Sequence, residues 1–103
     1  LSVNEISLNN DLSIEYYYRL ARTNQKLLNN QVIDLFLKVL SYDNYSNLYY
    51  HPMSTLQIGL EFEKEGNKDE AIRFFKKTLS YNDFNYENGI KKSAKAGINR
   101  LLN

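Results

Sequence analysis

Apolar positions recur with helical spacing twice within Leu56 to Leu79, LQIGLEFEKEGNKDEAIRFFKKTL, on either side of a break. Before the break, Leu56, Gly59, Leu60 and Phe62, with Ile58 alongside, fall on one stripe at the i, i+3, i+4 spacing of a helix with one buried face. Gly66 marks the end of that helix, because glycine enters the left-handed C′ conformation at little steric cost. Asn67, with Glu70 three residues on, is an Asn variant of the capping-box spacing and predicts the start of a second helix. There Ala71, Ile72, Phe75, Thr78 and Leu79 recur on one face, while Arg73, Lys76 and Lys77 point elsewhere. Gly59 is about 1 kcal/mol worse than alanine inside a helix. A gap left there for a bulky partner such as Phe75 offsets that loss.

The same pattern, looser, precedes this hairpin, and a single helix follows it. Residues 1–10 are polar and weakly patterned, a frayed lead-in or the end of a preceding helix. Asp11 or Ser13 caps a helix running to about Lys26, with Tyr17, Leu20 and Ala21 facing inward. Leu27 to Asn30 forms a turn, and Asn29 or Asn30 caps the next helix. That helix carries Val32, Ile33, Leu35, Phe36, Leu37, Val39 and Leu40, apolar on more than one face, and is expected to be the most buried of the set. Leu40-Ser41-Tyr42 recurs as Leu79-Ser80-Tyr81, an offset of 39 that also sets Phe36 on Phe75 and Val32 on Ala71. Ala21 falls on Gly59 at an offset of 38, which predicts a turn near Leu28 shorter by one residue. The linker 43–51, rich in tyrosine (Tyr45, Tyr49, Tyr50), is either irregular or extends the following helix. The favoured start of that helix lies between Tyr49 and Met53, with Pro52 in the first turn. After the turn Asn82-Asp83-Phe84-Asn85, Asn85 caps a last helix whose stripe is Ile90, Ala94, Gly97, Ile98 and Leu101. Lys91, Lys92, Lys95 and Arg100 lie mostly outside that stripe, as suits a closing helix.

Ile58-Gly59, Phe62, Ala71 and Phe75 resemble the Leu-Gly, Tyr, Ala, Phe pattern of the tetratricopeptide repeat, a helix-turn-helix of about 34 residues. In the first pair, Leu20, Ala21 and Phe36 stand at the corresponding places. Thr55 occupies the family's early Trp place and Asp83 its closing Pro place, and both depart from the pattern. The resemblance implies an all-α domain over 1–103. It consists of antiparallel helix pairs stacked as a short right-handed solenoid, repeat 1 at 11–42, repeat 2 at 52–82 and a closing helix at 85–102. It also implies that the first helix of each pair lines a concave, partner-binding side. The lining positions are then Tyr18, Arg22 and Gln25, with Tyr17 beside them, and Met53, Leu56, Leu60, Glu63 and Lys64. That set is apolar with a few charges and lacks the Lys/Asn/Arg arrangement with which some family members clamp a terminal carboxylate. A peptide or helix with apolar anchors fits it better.

Composition narrows the chemistry. The net charge of +1 gives no argument for nucleic acid or an anionic membrane. The chain has no cysteine, so it offers neither disulfides nor thiolate ligands, and the compartment stays open between cytoplasmic and exported. No apolar run approaches the roughly 18 residues of a membrane span. Asparagine is abundant but scattered through amphipathic segments, a compositional bias and not a tract. His51 is the only histidine, beside Pro52, and is expected at the surface or at a helix start. Glu61, Glu63, Glu65, Asp69 and Glu70 lack the loop spacing of a cation site and predict a solvated face. The four glycines make no phosphate-cradling motif. Of Tyr16, Tyr17 and Tyr18, one must face the core, and the others are surface or partner contacts.

No catalytic residue, metal site or cofactor is therefore expected, and a non-catalytic scaffold for a protein or peptide leads. Two pairs and a closing helix are few for a solenoid, which generally takes about three repeats. The chain, which opens on Leu1 without a methionine, is then either the C-terminal part of a longer array or self-associates. Two alternatives follow: a homo-oligomerisation module, and a regulatory segment of a larger signalling protein.

Overall fold

The computed structural model describes residues 3–27, 30–43 and 48–103, with side chains from Asn9 onward. Among the described residues every regular element is helical: α1 (Val3–Lys26), α2 (Val32–Leu40), α3 (Tyr50–Lys64), α4 (Lys68–Leu79) and α5 (Glu87–Leu102). Tyr45 of the linker, and Asn29 of the two capping candidates, lie outside the described residues.

The hinge of the second pair forms as its residues dictate. Gly66 takes φ +79°, its N–H reaches the Glu63 carbonyl at 3.1 Å, and the Asn67 N–H reaches Phe62 at 2.9 Å. This is a Schellman close of α3. The Asn67 side chain then accepts from the Glu70 N–H at 3.3 Å and opens α4. The Glu70 carboxylate does not complete the capping box, since it is held by Arg73 at 2.8 Å.

Four boundaries differ from the sequence expectation. The lead-in is not irregular: α1 already begins at Val3, since neither Gly nor Pro interrupts the first turns. The cap of α2 is Gln31, without a side-chain hydrogen bond, and not Asn30. The connection of the first pair, 27–31, is longer than 65–67 of the second; the register is recovered because α2 has 9 residues against 12 in α4. With no C′ glycine and no capping side chain, α2 forgoes a first turn. The cap of α5 is Tyr86 and not Asn85, held at φ 64° after Asp83 at φ 59°. These left-handed residues are stabilised from inside α5, where the Glu87 carboxylate accepts the Asp83 N–H at 2.9 Å.

Each helix packs on its chain neighbour, and α1 and α5 also touch α3. Among the described residues the backbones of α1 and α2 do not approach those of α4 and α5, and α3 alone of these helices packs against the other four. It is therefore α3, and not α2, that is most buried. Within it His51, Pro52, Ser54, Thr55, Leu56, Ile58 and Gly59 are all buried. In α2 only Val32, Phe36 and Val39 are, because its outer side is uncovered and Leu37 is exposed. Two apolar clusters result. Ile14, Tyr18, Ala21, Val32, Phe36, Val39, Ile58 and Phe74 form one; Leu56, Ala71, Phe75, Ile90 and Ala94 form the other. Adjacent residues of α4 thus serve different clusters. Phe74 stacks on Phe62 at 5.8 Å, and Phe75 turns toward α5.

Phe75 sits between two glycines. A Cβ on Gly59 would lie 2.6 Å from its Cε1, and one on Gly97 would lie 2.5 Å from its Cε2. Neither neighbour can relax by pushing the ring toward the other. Gly59→Ala is therefore expected to lower unfolding free energy by about 1–2 kcal/mol, overpacking outweighing the gain in helix propensity. Gly89→Ala, whose Cβ meets nothing within 4 Å, is expected to raise it by about 0.5–1 kcal/mol. Urea melts of the two variants check the opposed signs; shifts in the same direction would contradict the wedge.

Candidate functional site

Among the clefts formed by the described residues are three of about 390, 280 and 300 Å³. Their described linings come only from α1, α3 and α5 and from Tyr49 and Tyr86, which cap α3 and α5. Neither α2 nor α4 contributes.

The first cleft is lined by Tyr18, Arg19, Arg22, Thr23, Tyr49 and Tyr50. Its tyrosines form one aromatic body. The Tyr18 ring lies 4.9 Å from Tyr50 and 5.8 Å from Tyr49, and backs onto Phe36 at 6.0 Å. Burial pushes the Tyr18 phenol up to about 12 against the opposing pull of Arg22, and burial raises Tyr50 as well. Both hydroxyls are thus neutral at physiological pH. The second cleft, between Arg22, Gln25, Lys26 and Lys64, is organised by a polar relay across α1 and α3. Arg22 donates to Gln25 at 2.9 Å, and Gln25 donates to Gln57 at 3.0 Å and Glu61 at 3.1 Å. The third lies between Met53, Leu56, Gln57 and Leu60 of α3 and Gly89, Ile90 and Ser93 of α5, beside Tyr86.

Of the positions expected to line a groove, Tyr18, Arg22, Gln25, Met53, Leu56, Leu60 and Lys64 line these clefts. Two do not. Tyr17 stacks on Tyr42 at 6.0 Å, with the Lys38 ammonium 5.6 Å from its ring. Glu63 is engaged by Arg100 through two bonds of 3.0 and 2.8 Å that tie α3 to α5, and Arg100 holds its carboxyl below the usual range. The sequence reading missed Arg19, Thr23 and Lys26, although Arg19–Thr23 and Arg22–Lys26 are i, i+4 pairs flanking the expected row. It also missed Tyr49 and Tyr50 as lining residues, having placed them in the linker or at the start of the following helix.

The residues weighed for chemistry have structural engagements. Glu61 pairs with Lys64, Glu70 with Arg73 and Lys91 with Glu87. Among the described residues no group of His, Asp and Glu could hold a metal ion, and no helix is long and apolar enough to cross a membrane. His51 stands at a helix start, as expected, but is buried. Its Nε2–H donates to the Tyr42 carbonyl at 2.8 Å, while Nδ1 and the neighbouring Ser54 hydroxyl have no partner. Burial lowers its pKa, against the opposing pull of that hydrogen bond and of Asp11 and Asp43.

The sign follows from that depression. Unfolded His51 takes up a proton near pH 6.5 and folded His51 only at lower pH, so the unfolded state binds more protons in between. Stability is expected to be full above about pH 7 and to fall as pH drops below about 6.5. Thermal melts from pH 8 to 5 check this. The paired carboxylates Glu63, Glu70 and Glu87 have lowered pKa values and titrate below this window. His51→Gln is therefore expected to flatten the slope; a slope that survives would clear His51.

Compared with family models, with curated proteins and with solved structures, the chain matches none.

Proposed function

We propose that this chain is a short array of tetratricopeptide-like helix pairs, stacked as a right-handed solenoid, that binds a protein segment without catalysing a reaction. The observation that carries this reading is that all three clefts open on the odd-numbered helices. One helix of each pair forms a shared face, and the other packs behind it. Two further facts support it. Contacts pass along the chain through α3 and do not skip it, as in a stack of neighbours. The small residues Ala21, Gly59 and Gly97 recur at equal spacings of 38, one on each odd helix, so α5 stands where a third pair would begin.

The test is selection of binders from a library of random 16-residue peptides, followed by amide chemical-shift mapping on the chain. The largest shifts are expected on α1, α3 and α5, and Leu60→Glu is expected to weaken binding at least about tenfold. A library that yields no binder, or shifts concentrated on α2 and α4, would overturn the reading.

A second reading, self-association, is favoured by Leu12, Tyr16 and Leu37, which are 57%, 60% and 42% exposed on the first pair. Sedimentation across a concentration series decides it. A dimer abolished by Leu12→Glu with Leu37→Glu is the outcome this reading expects, and a monomer throughout excludes it.

A further inference from the structure

The face of the odd helices is not uniform in charge. The first two clefts are lined by Arg19, Arg22, Lys26 and Lys64, with no carboxylate among the described lining residues, in a chain whose net charge is only +1. Two of these cations are compensated from outside the clefts, Arg19 by Glu15 at 2.7 Å and Lys64 by Glu61 at 3.3 Å. Arg22 and Lys26 have no carboxylate within ion-pair distance among the described residues. Arg22 lines both clefts, so it stands at their junction. Its polar partner there is the neutral Gln25 amide, itself fixed by Gln57 and Glu61. An incoming carboxylate would replace a neutral acceptor with a charged one, and charge-assisted bonds to a guanidinium are roughly twice as strong.

We propose that the partner is an acidic peptide segment. A carboxylate side chain accepts from Arg22, with Lys26 adjacent, and the flanking chain lies against the tyrosines of the first cleft. An apolar residue of the same segment occupies the third cleft, against Met53, Leu56, Leu60 and Ile90. The distribution of charge favours a peptide over a nucleic acid. A phosphate backbone carries charge at every nucleotide and calls for a continuous cationic track. Here the cations stop where the third cleft begins, and that cleft is lined by no Lys or Arg among the described residues. Tyrosines with neutral hydroxyls suit a peptide, since they donate to backbone carbonyls and pack on side chains.

The proposal rests on the binding-module reading above, and the experiment separates the two. Labelled 16-residue peptides with alternating Glu and Leu, the same peptide with Gln for Glu, and a single-stranded oligonucleotide are titrated by anisotropy at two salt concentrations. The acidic peptide is expected to bind about tenfold tighter than its Gln counterpart and to lose most of that margin at high salt. Arg22→Gln, at an exposed position, is expected to abolish the margin, while Lys92→Gln on α5, outside the three cleft linings, retains it. Equal binding of the two peptides, a margin that survives Arg22→Gln, or tighter binding of the oligonucleotide would overturn the acidic-peptide proposal alone. Failure of every probe to bind would overturn it together with the binding-module reading.

Discussion

The arrangement of the second half depends on one ring. Phe75 is fully buried, and its two edges approach Gly59 of α3 and Gly97 of α5 more closely than any Cβ permits. Two helices are thereby drawn onto a side chain projected by a third. The phenyl group fills the space that two missing methyl groups leave, so α3 and α5 come into contact in front of α4. The third cleft is the surface consequence of that contact. A glycine inside a helix is an unfavourable choice locally. Here it is offset by close packing, which protein interiors maintain at crystal-like density. The first pair solves the same problem less tightly, with Ala21 and Phe36 in one cluster.

Because α3 packs against four helices, its inner surface cannot be built from large apolar residues alone. Thr55 and Thr78, both fully buried, lie 2.7 Å apart across α3 and α4. Each hydroxyl has one hydrogen and a carbonyl within reach, Pro52 at 2.8 Å or Phe74 at 3.0 Å. Whichever threonine donates to the other, the second donates to its own carbonyl, and the pair is satisfied in either sense. Small hydroxylated side chains let the helices approach and still leave no donor unpaired. His51, one turn earlier, and Ser54, next to Thr55, are not so fortunate. Each keeps a buried polar atom without a partner, which makes the entry to α3 the sensitive point of the joint between pairs.

Much of this was legible in the sequence, and the failures share a cause. Gly59 with Phe75, Gly66 with Asn67, Pro52 in the first turn of α3 and the inward stripe of α5 are local patterns, and local patterns carry their own geometry. What could not be read was which helix would be central. Hydrophobicity pointed to α2, with Ile33, Leu35 and Leu37, but Ile33 and Leu35 are only partly buried against the core and Leu37 is exposed. The burial of α3 is achieved by Ser54, Thr55 and Gly59, which no hydropathy scale marks. Tyr86 at positive φ is an unusual cap for a bulky residue; the turn before it is held by the Glu87 carboxylate, which accepts the Asp83 N–H, a contact visible only in three dimensions. The clefts were half-legible for the same reason. Single rows of a helix can be read, but the residues that flank them depend on which neighbour stands opposite.

The change of character along the face follows from position in the stack. On α3, cleft residues alternate with core residues at almost every turn: Met53, Gln57 and Leu60 face the clefts, Leu56 lines one while buried in the core, and Ser54, Thr55, Ile58 and Gly59 face in. With α1 on one side and α5 on the other, those cleft positions carry uncharged side chains. Helix α1 packs only on α2 and α3 among the described helices, so its outward row is free to carry long charged side chains. Arg22 and Lys26 can lay their aliphatic stems along the helix and keep their charges in the clefts. On α3 the cation that lines a cleft, Lys64, stands in the last turn of the helix. A face with a cationic end and an apolar middle is thus what this order of packing produces, and a ligand with the same division of charge is the one it complements.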